Sequence, residues 1–107
     1  MEHLTQMERT ILELVSAENW PGFIVDGIVV VRRENTGAGR FTYLQDLNCQ
    51  PLQDGTYGAQ ERLLELEGIR NGAAFVVDVT NKTIVHIEIA VYGNESWDGV
   101  ERGWRIV

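Results

Sequence analysis

RLLELEGIRNGAAFVVDVTNKTIVHIEIAVY, residues Arg62–Tyr92, carries the pattern that decides the fold. Phe75, Val77 and Val79 alternate with Ala74, Val76 and Asp78. Val85, Ile87, Ile89 and Val91 alternate with His86, Glu88, Ala90 and Tyr92. Such alternation marks strands with one buried face and one wet face. If both apolar sets face one core, the turn near Asn81-Lys82 has odd length, because a one-residue slip would turn one set outward. A three-residue loop, Asn81-Lys82-Thr83, meets that condition and sets Asp78 opposite His86. On the other side, Asn71-Gly72 is a strong two-residue hairpin signal. It places Leu66 opposite Val77, Leu64 opposite Val79 and Glu65 opposite Asp78. The two turns agree on the buried face, and the segment reads as a three-stranded antiparallel meander.

Upstream, Thr5 followed by Glu8 has the capping-box spacing and predicts a helix start at Thr5. Leu4, Met7, Ile11, Leu14 and Val15 recur at helical intervals, which puts Glu8 and Glu13 on the solvated side. Asn19-Trp20-Pro21-Gly22 stops the helix, since Pro21 disfavours helical geometry in Trp20. Phe23–Val25 and Ile28–Arg33 read as strands broken at Asp26-Gly27, with Arg40–Leu47 returning after a loop at Asn35–Gly39. Asn48–Gly58 is the longest irregular segment. The expected fold is a single α+β domain over residues 1–107, with the N-terminal helix packed on a twisted antiparallel sheet of about five or six strands. Its inner layer is expected to hold Leu4, Ile11, Leu14, Val15, Leu64, Leu66, Phe75, Val77, Val79, Val85, Ile87 and Ile89.

At 107 residues, 44% apolar and 23% charged, the chain fits one soluble globular core. Its apolar runs are strand-sized, and Met1–Arg9 is polar where a signal peptide needs a basic flank and an apolar stretch. A cytoplasmic protein is expected. The net charge of −7, with eight arginines and one lysine (Lys82), repels phosphate backbones and anionic membranes and would attract a basic protein surface. Cys49 has no partner thiol, and only His3 and His86 could assist it as a nucleophile. Asn35–Arg40 looks like a phosphate loop, but Phe41-Thr42-Tyr43-Leu44 continues as strand where a phosphate cradle needs a helix.

The register gathers chemistry on one sheet face. Glu65, Asp78 and His86 are expected in a row across three strands, with Glu67 and Glu88 one step along, at spacings of about 5 Å. Three readings stand open. The row is charge-compensated by arginines such as Arg62; it receives a basic protein surface; or His86 with Glu65 and Asp78 holds a metal or performs acid–base chemistry. Trp97, in the acidic turn Tyr92–Gly99, has the character of an interface anchor, with Tyr92 and Glu95 beside it, or else folds back over the sheet. A homodimer pairing these faces through Arg102 or Arg105 is a further possibility.

An ordered set of short pieces resembles a family of small uncharacterised bacterial proteins. The pieces are Thr36-Gly37-Ala38-Gly39 with Phe41, Glu67-Gly68 with Asn71-Gly72-Ala73 and Phe75, and Glu88 with Tyr92-Gly93-Asn94-Glu95 and Trp97. The resemblance implies a bacterial origin and a compact α+β fold, says little about activity, and offers no catalytic motif to carry over. By size and charge alone it suggests an immunity protein. The functional expectation is therefore a non-enzymatic acidic protein-binding domain, a toxin-immunity or inhibitor protein, without cofactor or metal. Its contact residues would be Glu65, Glu67, Asp78, His86, Glu88, Tyr92, Glu95 and Trp97. The alternative is a small enzyme or metal-binding domain using His86, Glu65 and Asp78.

Overall fold

The computed structural model describes Met1–Val107, with one helix, α1 (Gln6–Asn19), lying against a seven-stranded antiparallel sheet. The strands are β1 (Ile28–Asn35), β2 (Gly39–Asp46), β3 (Gly55–Tyr57), β4 (Leu64–Glu65), β5 (Ala73–Thr80), β6 (Thr83–Val91) and β7 (Arg105–Ile106). Their order is β1-β2-β6-β5-β4-β7, and β3 pairs separately with β5. The α+β class holds, and the very short β3, β4 and β7 bring the strand count above five or six. No helix is long and apolar enough to cross a membrane.

Thr5 caps α1 as its spacing predicts: its hydroxyl accepts from the Glu8 amide, and its own amide donates to the Glu8 carboxylate. Met7, Ile11, Leu12 and Val15 are fully buried against the sheet, with Leu4 packed at the edge of the core. Leu14 is only half-buried, so Leu12 takes the place expected of it. Beyond the helix, Trp20 fills the base of the core against Phe23 and Tyr57, at ring-centroid distances of 5.1 and 5.0 Å. Phe23–Val25 forms no strand; Asp26-Gly27 is a turn closed by the Ile28 amide donating to the Val25 carbonyl.

The β5–β6 hairpin reaches the expected register by another route. Asn81 and Lys82 form a two-residue turn, both with positive φ (54° and 63°), and Thr80 faces Thr83. The register then shifts by one residue, so that Val79 faces Ile84 while Asp78 faces His86. An even turn plus one bulged residue has the parity of an odd turn. Ile84 is buried in consequence, and Val85, expected in the core, is half-buried.

The other turn departs from expectation. Asn71-Gly72 is no hairpin: the chain turns earlier, where the Ile69 amide donates to the Leu66 carbonyl, and Leu64 faces Ala73. The edge of β5 beside Val77–Val79 goes to β3 instead, so Thr56, not Glu65, faces Asp78. Leu64 and Leu66 are buried all the same.

Gly39 marks a point of contact between backbones. A Cβ there would lie 1.9 Å from the Ile89 carbonyl oxygen, so the first rung of the β2–β6 ladder admits only hydrogen. Gly39→Ala is expected to cost about 1–3 kcal/mol, the usual penalty of overpacking. A urea midpoint unchanged from the wild type would contradict that contact.

Candidate functional site: the open face of the sheet

The helix covers one face of the sheet and leaves the other open. Three cross-strand rows build the open face. Arg32, Tyr43, His86, Asp78 and Thr56 lie opposite one another across β1, β2, β6, β5 and β3. Glu34, Phe41, Glu88 and Val76 form the next row, and Gly39, Ala90 and Ala74 the third.

The centre is aromatic. The His86 ring lies 5.0 Å from Phe41 and 5.6 Å from Tyr43, and the Arg32 guanidinium stacks 3.9 Å over the Tyr43 ring. His86 Nδ1 is enclosed by its neighbours and has no hydrogen-bond partner. Asp78, though opposite His86, is held by hydroxyls: Thr80 donates at 2.9 Å and Thr56 at 3.3 Å. Glu88 is engaged by no hydrogen bond or ion pair.

The other expected residues are dispersed. Glu65 is drawn to β7, where Arg105 donates to it at 2.6 and 3.0 Å. The row of Glu65, Asp78 and His86 therefore does not exist, and no three metal-ligating side chains converge anywhere in the chain. Glu65 and Glu67 instead line a separate open cleft of about 540 Å³ with Leu66, Ile69 and Arg70. Glu95 is a turn clamp, accepting from the Arg70 and Asn71 amides. Tyr92 is exposed at the end of β6. Trp97 is no exposed anchor: it is 4% exposed, donates its indole N–H to the Val100 carbonyl at 3.0 Å and packs 5.2 Å from the Arg40 guanidinium. Arg102 and Arg105, the arginines expected to bridge a dimer, pair with Asp98 and Glu65 of their own chain.

A second polar cluster lies inside, under the first turn of α1. Glu8, expected at the surface, is fully buried. Its Oε1 accepts from Arg33 at 2.7 Å and the Thr5 amide at 2.9 Å; its Oε2 accepts from Arg33 and Arg40, both at 2.9 Å, and from the Thr42 hydroxyl at 2.8 Å. Arg40 continues to Glu101, and Arg33 to Glu2. Burial pushes the Glu8 carboxyl up, but the hydrogen bonds from Arg33, Thr5 and Thr42 and the charge of Arg40 outweigh it, and the net shift is downward. Both carboxylate oxygens are saturated with donors, so Glu8 is a structural anion and not an acid or base poised for catalysis.

Phe41, Tyr43 and Arg32 are the residues of the open face that sequence reasoning missed. Alternation along β2 was the available signal, since Phe41 and Tyr43 share one face and Arg40, Thr42 and Leu44 the other. That strand points its aromatics out and its arginine in, against the hydropathy rule.

What these features define is an α+β domain with an uncovered antiparallel face whose centre is aromatic and which carries three carboxylates, Glu34, Asp78 and Glu88, against one arginine, Arg32. Comparison with protein-family models, with curated proteins and with solved structures finds no match for the chain.

Proposed function

We propose that the protein is a non-enzymatic binding domain that presents its open sheet face to a basic surface of a protein partner, as an immunity or inhibitor protein does. The observation that supports this reading is the pairing of a half-buried Phe41–Tyr43–His86 cluster with an unengaged carboxylate, Glu88, on a face no element covers. Aromatic centres ringed by polar groups are the usual anatomy of protein contact surfaces. Charge points the same way. Six of the eight arginines are ion-paired within the chain, so the net −7 is presented outward with few free cations. A phosphate backbone is disfavoured by that field, and a basic protein is drawn to it.

The metal or enzyme reading loses its geometry with the removal of Glu65 from the row. A homodimer through Arg102 or Arg105 would first have to break their internal pairs.

The reading is tested with immobilised wild type and two charge reversals, Glu88→Arg on the open face and Glu61→Arg in the loop between β3 and β4. A partner captured by the wild type should be held at least about tenfold more weakly by Glu88→Arg, since like charges face to face cost affinity. Glu61→Arg should hold it nearly as well. Equal retention by Glu88→Arg and wild type would remove the open face as the binding surface.

A further inference from the structure

We propose that the notch above Ala74 and Ala90 receives one lysine or arginine side chain of the partner, with Glu88 as its counter-ion. The inference rests on the open face being the binding surface and adds the point of recognition within it.

The notch exists because one cross-strand row lacks bulk. Gly39, Ala90 and Ala74 lie side by side across β2, β6 and β5, next to the taller row of Phe41, Glu88 and Val76. Gly39 cannot be enlarged without striking the Ile89 carbonyl, so the β2 end of the row stays low. The depression measures about 190 Å³ and is lined by Ala74, Phe75, Val76, Glu88 and Ala90. Four of these five are apolar, and the fifth is a carboxylate. On its far side no strand pairs with Ala74–Val76 of β5, because β4 pairs at Ala73 and β3 pairs only with Val77–Val79.

An apolar trough ending at a single anion fits an amphipathic cation. The methylene stem of lysine or arginine lies along alanine and valine while its charged head reaches the carboxylate. The alternatives fit worse. A neutral apolar side chain would cover Glu88 without pairing it, which costs desolvation. An anionic one would be repelled. Nothing inside the chain satisfies the carboxylate already, whereas Glu65, Glu8, Glu101 and Asp98 each have an arginine.

The test is a titration of the isotopically labelled protein with blocked tripeptides, Gly-Lys-Gly and Gly-Arg-Gly, against Gly-norleucine-Gly, followed by NMR. Saturable shifts are expected at the Ala74, Val76 and Ala90 methyls and the Glu88 amide for the cationic peptides. Glu88→Gln should weaken them by about threefold to fivefold, the worth of one exposed ion pair. Ala90→Leu, which fills the notch, should abolish the methyl shifts, and Ala90→Ser should retain them. Equal binding of the norleucine peptide, or an affinity unaltered in Glu88→Gln, would overturn the proposal. Shifts confined to Asp78 and Glu34 would overturn the notch yet leave the open face as a basic-surface receptor. Shifts on no residue of the open face would overturn both.

Discussion

Glu8→Ala is expected to lower the stability of the domain by about 3–5 kcal/mol, because it removes the fully buried carboxylate shared by two guanidiniums and leaves Arg33 only Glu2 and Arg40 only Glu101 as counter-ions. Arg40 is 4% exposed and would keep only Glu101 and the Gly99 carbonyl as partners. The capping box is lost in the same stroke, since the Thr5 amide donates to this carboxylate. In a domain whose whole stability is on the order of 5–15 kcal/mol, that is a large share, and Tm should fall by on the order of 10–20 °C. Glu8→Gln keeps the shape and part of the hydrogen bonding and should cost less, about 1–3 kcal/mol. The same group sets an acid limit. Its carboxyl titrates below the ordinary 4.5 in the folded protein, so its contribution is complete above that value and disappears as pH falls through the lowered one. Thermal melts from neutral pH down to about pH 3 should show an acid-side fall in Tm that is shallower in Glu8→Gln. Parallel acid profiles for the two proteins would contradict the buried, ionised carboxylate.

Trp97→Ala is expected to cost about 3–5 kcal/mol, the range for deleting a large buried aromatic. The indole closes the inner layer beside Arg40, and its N–H donates to the Val100 carbonyl. This result separates the two roles open to a loop tryptophan. An exposed anchor can be truncated with Tm unchanged; this one cannot. Because Trp97 and Glu8 both bear on Arg40, their effects should not add. A double-mutant cycle of Glu8→Gln and Trp97→Phe is expected to show coupling of about 0.5 kcal/mol or more. Strict additivity would mean that Arg40 does not link them.

The strands of the β5–β6 hairpin were legible because alternation survives a local irregularity. Asp78 faces His86 whether the extra residue sits in the turn or in a bulge, so alternation gives the pairing without the turn length. Glu65 could not be placed that way. Asn71-Gly72 has the composition of a tight hairpin, yet Gly72 lies close under the Leu64 carbonyl, where a Cβ would approach to 2.8 Å. The glycine serves that close approach, and the turn belongs to Glu67-Gly68. Glu8 was hidden for a different reason. Its capping-box role explains a glutamate at that position completely, and nothing local reveals that Arg33 and Arg40 converge on it from β1 and β2. On the candidate face, Asp78, His86 and Glu88 were readable from period-two alternation. Phe41 and Tyr43 were not, because an outward aromatic pair on a strand with an inward arginine looks like a core strand until the helix is docked.

The sequence distances spanned by the Glu8 cluster have a kinetic consequence. Its partners lie 25, 32 and 34 residues away, and Thr5 reaches Glu101 across 96. Contacts with such loop closures are expected to form after local hairpins such as β5–β6. Interactions absent from the transition state act on the rate of unfolding. Weakening the cluster is therefore expected to shorten the lifetime of the folded molecule more than it slows folding.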